Sequence, residues 1–193
     1  MKLPLRPTLY DHLVLSLRDK DVIATFNWDP FLWQSINRCN ERLNGLARPP
    51  RVLFLHGNTA IGYTKHNEQV LFGTLGRISR ANKKPFERGP LLFPVAKKNY
   101  QVDECIEKAW LDLKIELGNA YLFTIFGYSA PATDQEAVEL LKQGWGDKYG
   151  RQLEEIEIVD IISEEGLREK WRSFIHSHHY RTTESFYSSM LAK

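Results

Sequence analysis

The chain has 193 residues, 42 % of them hydrophobic and 12 % aromatic, with a formal net charge of +2. That length and composition suit one α/β domain with a buried core and argue against a disordered chain, and a net charge of +2 is too small by itself to argue for nucleic-acid binding. No apolar run reaches the roughly 18 residues a bilayer-spanning helix needs, the first residues lack a signal-peptide stretch, and Cys39 and Cys105 stand in no metal-ligand spacing, so a reduced cytoplasmic setting is expected.

In chain order, Thr8 and Asp11 form a capping pair for a helix with Leu9, Leu13 and Leu17 as its stripe. Asp21–Phe26 (DVIATF) predicts a short buried strand. Asn27-Trp28-Asp29-Pro30 follows, with Asp29 as N-cap and Pro30 as first helical residue. Leu32, Trp33, Ile36 and Leu43 carry the next helix, which Gly45 ends. Arg51–Leu55 (RVLFL) predicts a second buried strand running into His56-Gly57-Asn58. Residues 59–90 show no period and read as an irregular basic excursion or a small inserted module. Between Gly73 and Lys98 stand seven bases and one acid, Glu87, whereas Gln101 to Lys170 holds sixteen acids against seven bases. Such a basic segment is either a solvated loop or a holder of an anionic ligand.

Leu91–Val95 reads as a short strand despite Pro94. A helix from Asp103 to Gly118 carries Ile106, Trp110, Leu113 and Leu117 on one face. Tyr121–Phe126 (YLFTIF) predicts a third buried strand, then Gly127-Tyr128-Ser129, then a helix capped by Thr133 and Glu136 with Val138, Leu141 and Trp145 inward. Ile156–Ile162 predicts another strand, and Ser163 caps a helix through Leu167, Trp171 and Phe174. Residues 1–176 are thus expected to form one domain, and 177–193 a polar tail that frays. Strands that are continuous apolar runs alternating with helices predict an α/β, Rossmann-like parallel sheet with helices on both faces.

Asn27/Asp29, His56 and Gly127/Ser129 each follow the carboxyl end of a predicted strand, where open parallel sheets bind ligands. They are therefore expected to converge. Taken singly, Asp29 is a helix cap, Asn27 a turn residue, His56 a structural histidine, and Gly127 and Ser129 turn chemistry. Together they resemble the sirtuin-like family. Thr25, Asn27 and Asp29 in ATFNWD are similar to its Thr-x-Asn-x-Asp motif. His56 and Gly57 in LHGN resemble its His-Gly motif, and FGYSAPATD (Phe126–Asp134) resembles the GYS-Pro-x-x-Asp segment of prokaryotic sirtuin-like domains. The likeness covers roughly residues 20–145.

The resemblance implies a domain that binds NAD or ADP-ribose and cleaves the nicotinamide–ribose bond. His56 would be the general base, Asn27 would orient ribose or water, and Asp29 would meet the carboxamide. Thr25, Gly57, Gly127, Tyr128 and Ser129 would lie along the nucleotide. A neutral imidazole suits the base role. The sequence departs from the family in lacking a Gly-rich phosphate loop before Thr25, as though the N-terminal unit were missing. Self-association, or a partner over the missing unit, is expected to follow. The alternative is a non-catalytic nucleotide sensor or interaction module that kept the fold. Residues 59–90 contain no cysteine, so no zinc is expected. Gly57–Thr64 mimics a P-loop with Tyr63 where its lysine belongs, and His176, His178 and His179 lack a one-faced spacing for a metal.

Overall fold

The computed structural model describes residues 2–46, 48–93, 100, 103–128, 134–145, 155–172 and 180–193. They fall into two compact units, with the boundary between Trp110 and Leu111 inside one helix. The architecture is mixed α/β, with parallel strands in both units.

In the first unit, α1 (Leu9–Ser16), β1 (Val22–Thr25), α2 (Phe31–Leu43) and β2 (Arg51–Phe54) build one layer on another. β1 and β2 pair in parallel, Ile23 beside Val52 and Ala24 beside Leu53. Side chains alternate along a strand. Ile23 and Val52 therefore pack on Val14, Leu32, Ile36 and Cys39 of the two helices. Leu53, on the opposite face, is buried as well. Partial covering of both faces is why Val22–Ala24 and Val52–Phe54 are continuous apolar runs rather than alternating ones.

Two details of the helices differ from expectation. The buried face of α1 is Asp11 and Val14, while Leu9 is 41 % exposed. The helix is rotated because α2 draws the Asp11 carboxylate inward. Asp11 accepts bonds from Ser35 Oγ (2.9 Å), Arg38 Nε (2.9 Å) and Arg38 Nη2. It also accepts from the Thr8 backbone N–H (2.6 Å) and hydroxyl (2.7 Å), which is the expected capping pair. α2 starts one residue late, at Phe31. Asp29 still caps it, because Asp29 Oδ1 accepts from Phe31 N–H at 2.9 Å. At its far end Asn44 and Gly45 are both left-handed.

Residues 61–88 are not irregular. β3 (Ile61–His66), β4 (Gln69–Thr74) and β5 (Glu87–Arg88) form an antiparallel sheet in the order β4-β3-β5. The segment is thus a small inserted module. Asn67 and Glu68 both have positive φ, as a two-residue type I′ hairpin turn requires. The period is hidden by Gly62 and Gly73, which stand opposite each other. A Cβ on Gly73 would lie 2.4 Å from the Phe86 ring, and one on Gly62 would lie 2.6 Å from Glu87 O. Phe86 and its neighbour fill the space where an alternating side chain would have announced a strand.

Leu91–Phe93, the described part of the strand expected at Leu91–Val95, forms no ladder. It makes one backbone bond, from Leu92 N–H to His56 O at 3.0 Å. Pro90 and Pro94 on either side have no N–H to extend it.

α3 (Glu104–Asn119) continues one residue past Gly118 and buries Ile106, Trp110, Leu113 and Leu117. In the second unit β6 (Leu122–Phe126), β7 (Glu155–Val159) and β8 (Tyr180–Thr183) run in parallel in that order. α4 (Gln135–Trp145) buries Ala137, Leu141 and Trp145. α5 (Glu164–Lys170) is capped by the Ser163 hydroxyl and buries Leu167, with Trp171 at its end. Thr133 and Phe174, expected in these two helices, lie outside the described residues.

The C-terminal residues do not fray. β8 adds a strand, and two 3₁₀ turns follow, Phe186–Ser188 and Met190–Ala192. Phe186 is buried 6.2 Å from Phe126. Glu157, fully buried on the middle strand, accepts from Met190 N–H at 2.8 Å. Tertiary partners thus overrule the polar composition. Among the described residues no helix is long and apolar enough to cross a membrane.

Candidate functional site

The site is built by strand register. Thr25 of β1 pairs with Phe54 of β2. Two residues further along each parallel strand stand Asn27 and His56, so both occupy the same carboxyl edge. The Thr25 hydroxyl accepts from Asn27 N–H at 3.1 Å, and Thr25 O accepts from Leu55 N–H at 3.0 Å. Thr25 therefore shapes the turn that presents Asn27, which is exposed.

Asn58 locks the two strand ends together. Its Nδ2 donates to Asp29 O at 2.7 Å, and its Oδ1 accepts from Ala60 N–H at 2.8 Å. Thr59 donates to Trp28 O through both its backbone N–H (2.9 Å) and its hydroxyl (3.0 Å). Trp28 in turn meets Phe93 edge-on at 5.3 Å. Tyr10 of α1 reaches the same edge. Burial and the nearby Asp29 carboxylate push its phenol pKa up, opposed by a hydrogen bond with Asn27. The Asp29 carboxylate is thus shared between capping α2 and the field at Tyr10.

His56 is buried, 5 % exposed. Phe26 meets it edge-on at 4.9 Å, Tyr100 stacks on it at 5.9 Å, and Tyr100 OH lies 3.4 Å from its Nε2. Trp110 packs on Tyr100 at 4.9 Å and donates through Nε1 to Leu55 O at 3.2 Å. The imidazole at the end of β2 is thus packed among aromatic rings. Aromatic walls hold the ring in one orientation and keep water from most of it.

Gly57 has a structural reason to be glycine. Its φ is +80°, and a Cβ there would sit 2.1 Å from Pro90 O, because the chain at Pro90 passes against it. Gly127, at the carboxyl end of β6 in the second unit, is the opposite case. Its φ is +59°, and among the described residues a Cβ there would meet nothing within 4 Å. Tyr128 next to it donates to Asp134 Oδ2 at 3.2 Å and tilts on Trp171 at 5.9 Å, so the Tyr and Asp of that segment clamp each other. Ser129 lies outside the described residues, as do His176, His178 and His179.

Compared with models of known protein families and with curated protein sequences, the chain matches none. The chemistry must therefore be argued from these residues. Sequence reasoning passed over Tyr10, Asn58 and Tyr100. Asn58 alone carried a signal, as a polar side chain directly after a strand-end His-Gly. Tyr100 is 44 residues from its partner, and no spacing rule connects them.

Neither cysteine belongs to the site. Both are buried free thiols. Burial, with Asp103 adding to it, pushes Cys105 up to about 12, and burial raises Cys39 as well. The thiolate is the reactive form. Native protein at pH 8 is expected to leave a thiol-labelling reagent unreacted, while urea-unfolded protein titrates both cysteines. Labelling of native protein at the unfolded rate would show that these thiols are exposed.

Proposed function

We propose that the carboxyl edge of β1 and β2 binds the nicotinamide–ribose end of NAD, in the manner of a sirtuin-like domain, and hydrolyses its glycosidic bond. The observation that carries this reading is the register of Thr25 with Phe54, the last pair of the parallel strands β1 and β2, followed two residues later by Asn27 and His56 respectively. Ligands of open α/β sheets bind at that end.

The chemistry asks little of a nucleophile. As the C1′–N bond breaks, nicotinamide leaves with the electron pair, and the ribose passes through an oxocarbenium-like state that water captures. Asn27, exposed at the edge, orients ribose or water. Asp29, beside Tyr10, supplies the negative field that the cationic sugar favours. His56, held by Phe26 and Tyr100, takes the proton released when water adds. The low-dielectric aromatic surround strengthens the interactions of His56. Gly57, Gly127 and Tyr128 enter this reading through their motifs alone.

The burial of His56 favours a second reading, a nucleotide sensor that binds without turnover. One pair of measurements separates the two. Titration calorimetry with NAD and with ADP-ribose is expected to show binding, and nicotinamide release from NAD is expected to be slow, because Phe26 and Tyr100 cover His56 and limit the approach of water to it. Binding without any release supports the sensor. Neither binding nor release would sink both readings.

A further inference from the structure

Residues 77–86 form a second, compact ribbon beside β3. Ile78 bridges Pro85, Phe86 N–H donates to Arg77 O at 2.9 Å, and Ser79 N–H donates to Lys84 O at 2.8 Å. Its tip is anchored. Asn82 Nδ2 donates to Thr64 Oγ1 (2.9 Å) and to Lys65 O (2.8 Å), and Ser79 is buried with its hydroxyl accepting from Ala81 N–H at 3.3 Å. The inward positions are thus Ser79, Asn82 and Phe86. The outward ones are basic: Arg77, Arg80, Lys83 and Lys84, joined by Arg88 on β5, are all exposed. Among the described residues none of these five forms an ion pair, and Glu87 is the one acid between them. Ile78, between Arg77 and the tip, is 60 % exposed.

Five like charges held on an anchored backbone repel one another, and no ion pair offsets them. A flexible loop would spread such charges apart. This one is pinned by Asn82 and the buried Ser79. The net charge of +2 conceals the cluster because an acidic stretch elsewhere cancels it. We propose that the ribbon 77–88 docks on the sugar-phosphate backbone of a nucleic acid. The ribbon is packed beside β3 with its tip tied to Thr64 and Lys65, so it is the outward, basic face that lies along the phosphates. Arginine forks and lysine ammonium groups match phosphate oxygens, and Ile78 meets sugar or base edges between them.

The test is fluorescence anisotropy of the whole chain with labelled duplex DNA, duplex RNA and single strands across a salt series. Five phosphate contacts predict a slope of log K against log salt of about −4 to −5 on B-DNA, or about 500-fold weaker binding at 200 mM than at 50 mM salt. The variant Arg77→Gln/Arg80→Gln/Lys83→Gln/Lys84→Gln is expected to bind at least about tenfold more weakly, with a slope near −1. As a control, four exposed cations elsewhere, Lys2, Arg6, Lys20 and Lys193, are replaced by Gln. That variant carries the same net charge and is expected to bind as the wild type does. The three nucleic-acid arms decide which form is preferred. The proposal is overturned by a salt-independent signal, by equal weakening in the control, or by polyglutamate competing as well per charge as the nucleic acid. The last result would assign the ribbon to an acidic polypeptide.

Discussion

Replacing Asn27 with Ala is expected to lower nicotinamide release from NAD by about 10²–10⁴-fold, the usual span for a positioned catalytic group. Asn27 is exposed, its backbone N–H is held by Thr25 independently of its side chain, and Asp29 still caps α2. The thermal midpoint should therefore hardly move. His56→Ala is expected to cost a similar factor, yet it is the poorer test. The ring is buried between Phe26 and Tyr100, so truncation leaves a cavity and a Tyr100 hydroxyl that loses a partner. Large-to-small changes at such sites cost about 2–5 kcal/mol. His56→Gln, which fills part of the space and keeps a polar end for Tyr100, separates the effects. Lost release with a near-normal midpoint supports the base role, and full activity in His56→Gln would remove His56 from the chemistry. If Asn27→Ala and wild type release nicotinamide at the same measurable rate, the hydrolase reading fails.

A large loss of stability is expected elsewhere, in Arg38→Ala. The Asp11–Arg38 pair joins α1 to α2, with side-chain exposures of 8 % and 18 %. Removing one partner of a buried pair strands the other charge and costs about 3–5 kcal/mol, read as a fall in the urea midpoint. Arg38 also donates through Nη1 to Pro4 O at 2.6 Å, so the N-terminal segment loosens with it. Burial alone would raise the Asp11 pKa. The bonds from Arg38, Thr8 and Ser35 outweigh it and hold the carboxyl well below the usual carboxylate range. A depressed folded-state pKa contributes stability that is fully present above the unfolded value, about 3.9, and is lost as pH falls toward the folded one. Wild-type stability should therefore carry this contribution unchanged above about pH 5 and lose it below about pH 4. Arg38→Ala should show a shallower acid loss, because its Asp11 has less to lose. A variant less than about 1 kcal/mol below wild type at pH 7 would mean that solvent screens the pair.

The apolar runs at 22–25, 51–54 and 122–126 announce their strands because most of their residues are partly or fully covered, with only Arg51 and Phe126 exposed, and that coverage writes itself into composition. The helices at 31–43 and 104–119 are legible for the same kind of reason, since their buried residues recur at helical spacing. Thr8 with Asp11, and Ser163, cap their helices through local bonds that residue spacing alone dictates. The placement of Asn27 and His56 at strand ends belongs here too, because it needs only the strand boundaries.

Long-range partners decided the rest. Gly62 and Gly73 look like breaks in a pattern until Phe86 is seen to fill their space, and that contact exists only after the chain has turned twice. Gly57 is glycine because Pro90 passes against it, 33 positions later in the chain. The polar C-terminal segment is ordered because a buried carboxylate on β7 accepts from Met190 N–H. His56 lies in an aromatic enclosure because Tyr100 and Trp110 come to it from 44 and 54 positions away, whereas its neighbours in sequence say only that a strand has ended. Local bonds and the covering of strands leave marks within a few residues of themselves. A contact closed across a long loop leaves none, and only the tertiary structure selects its partners.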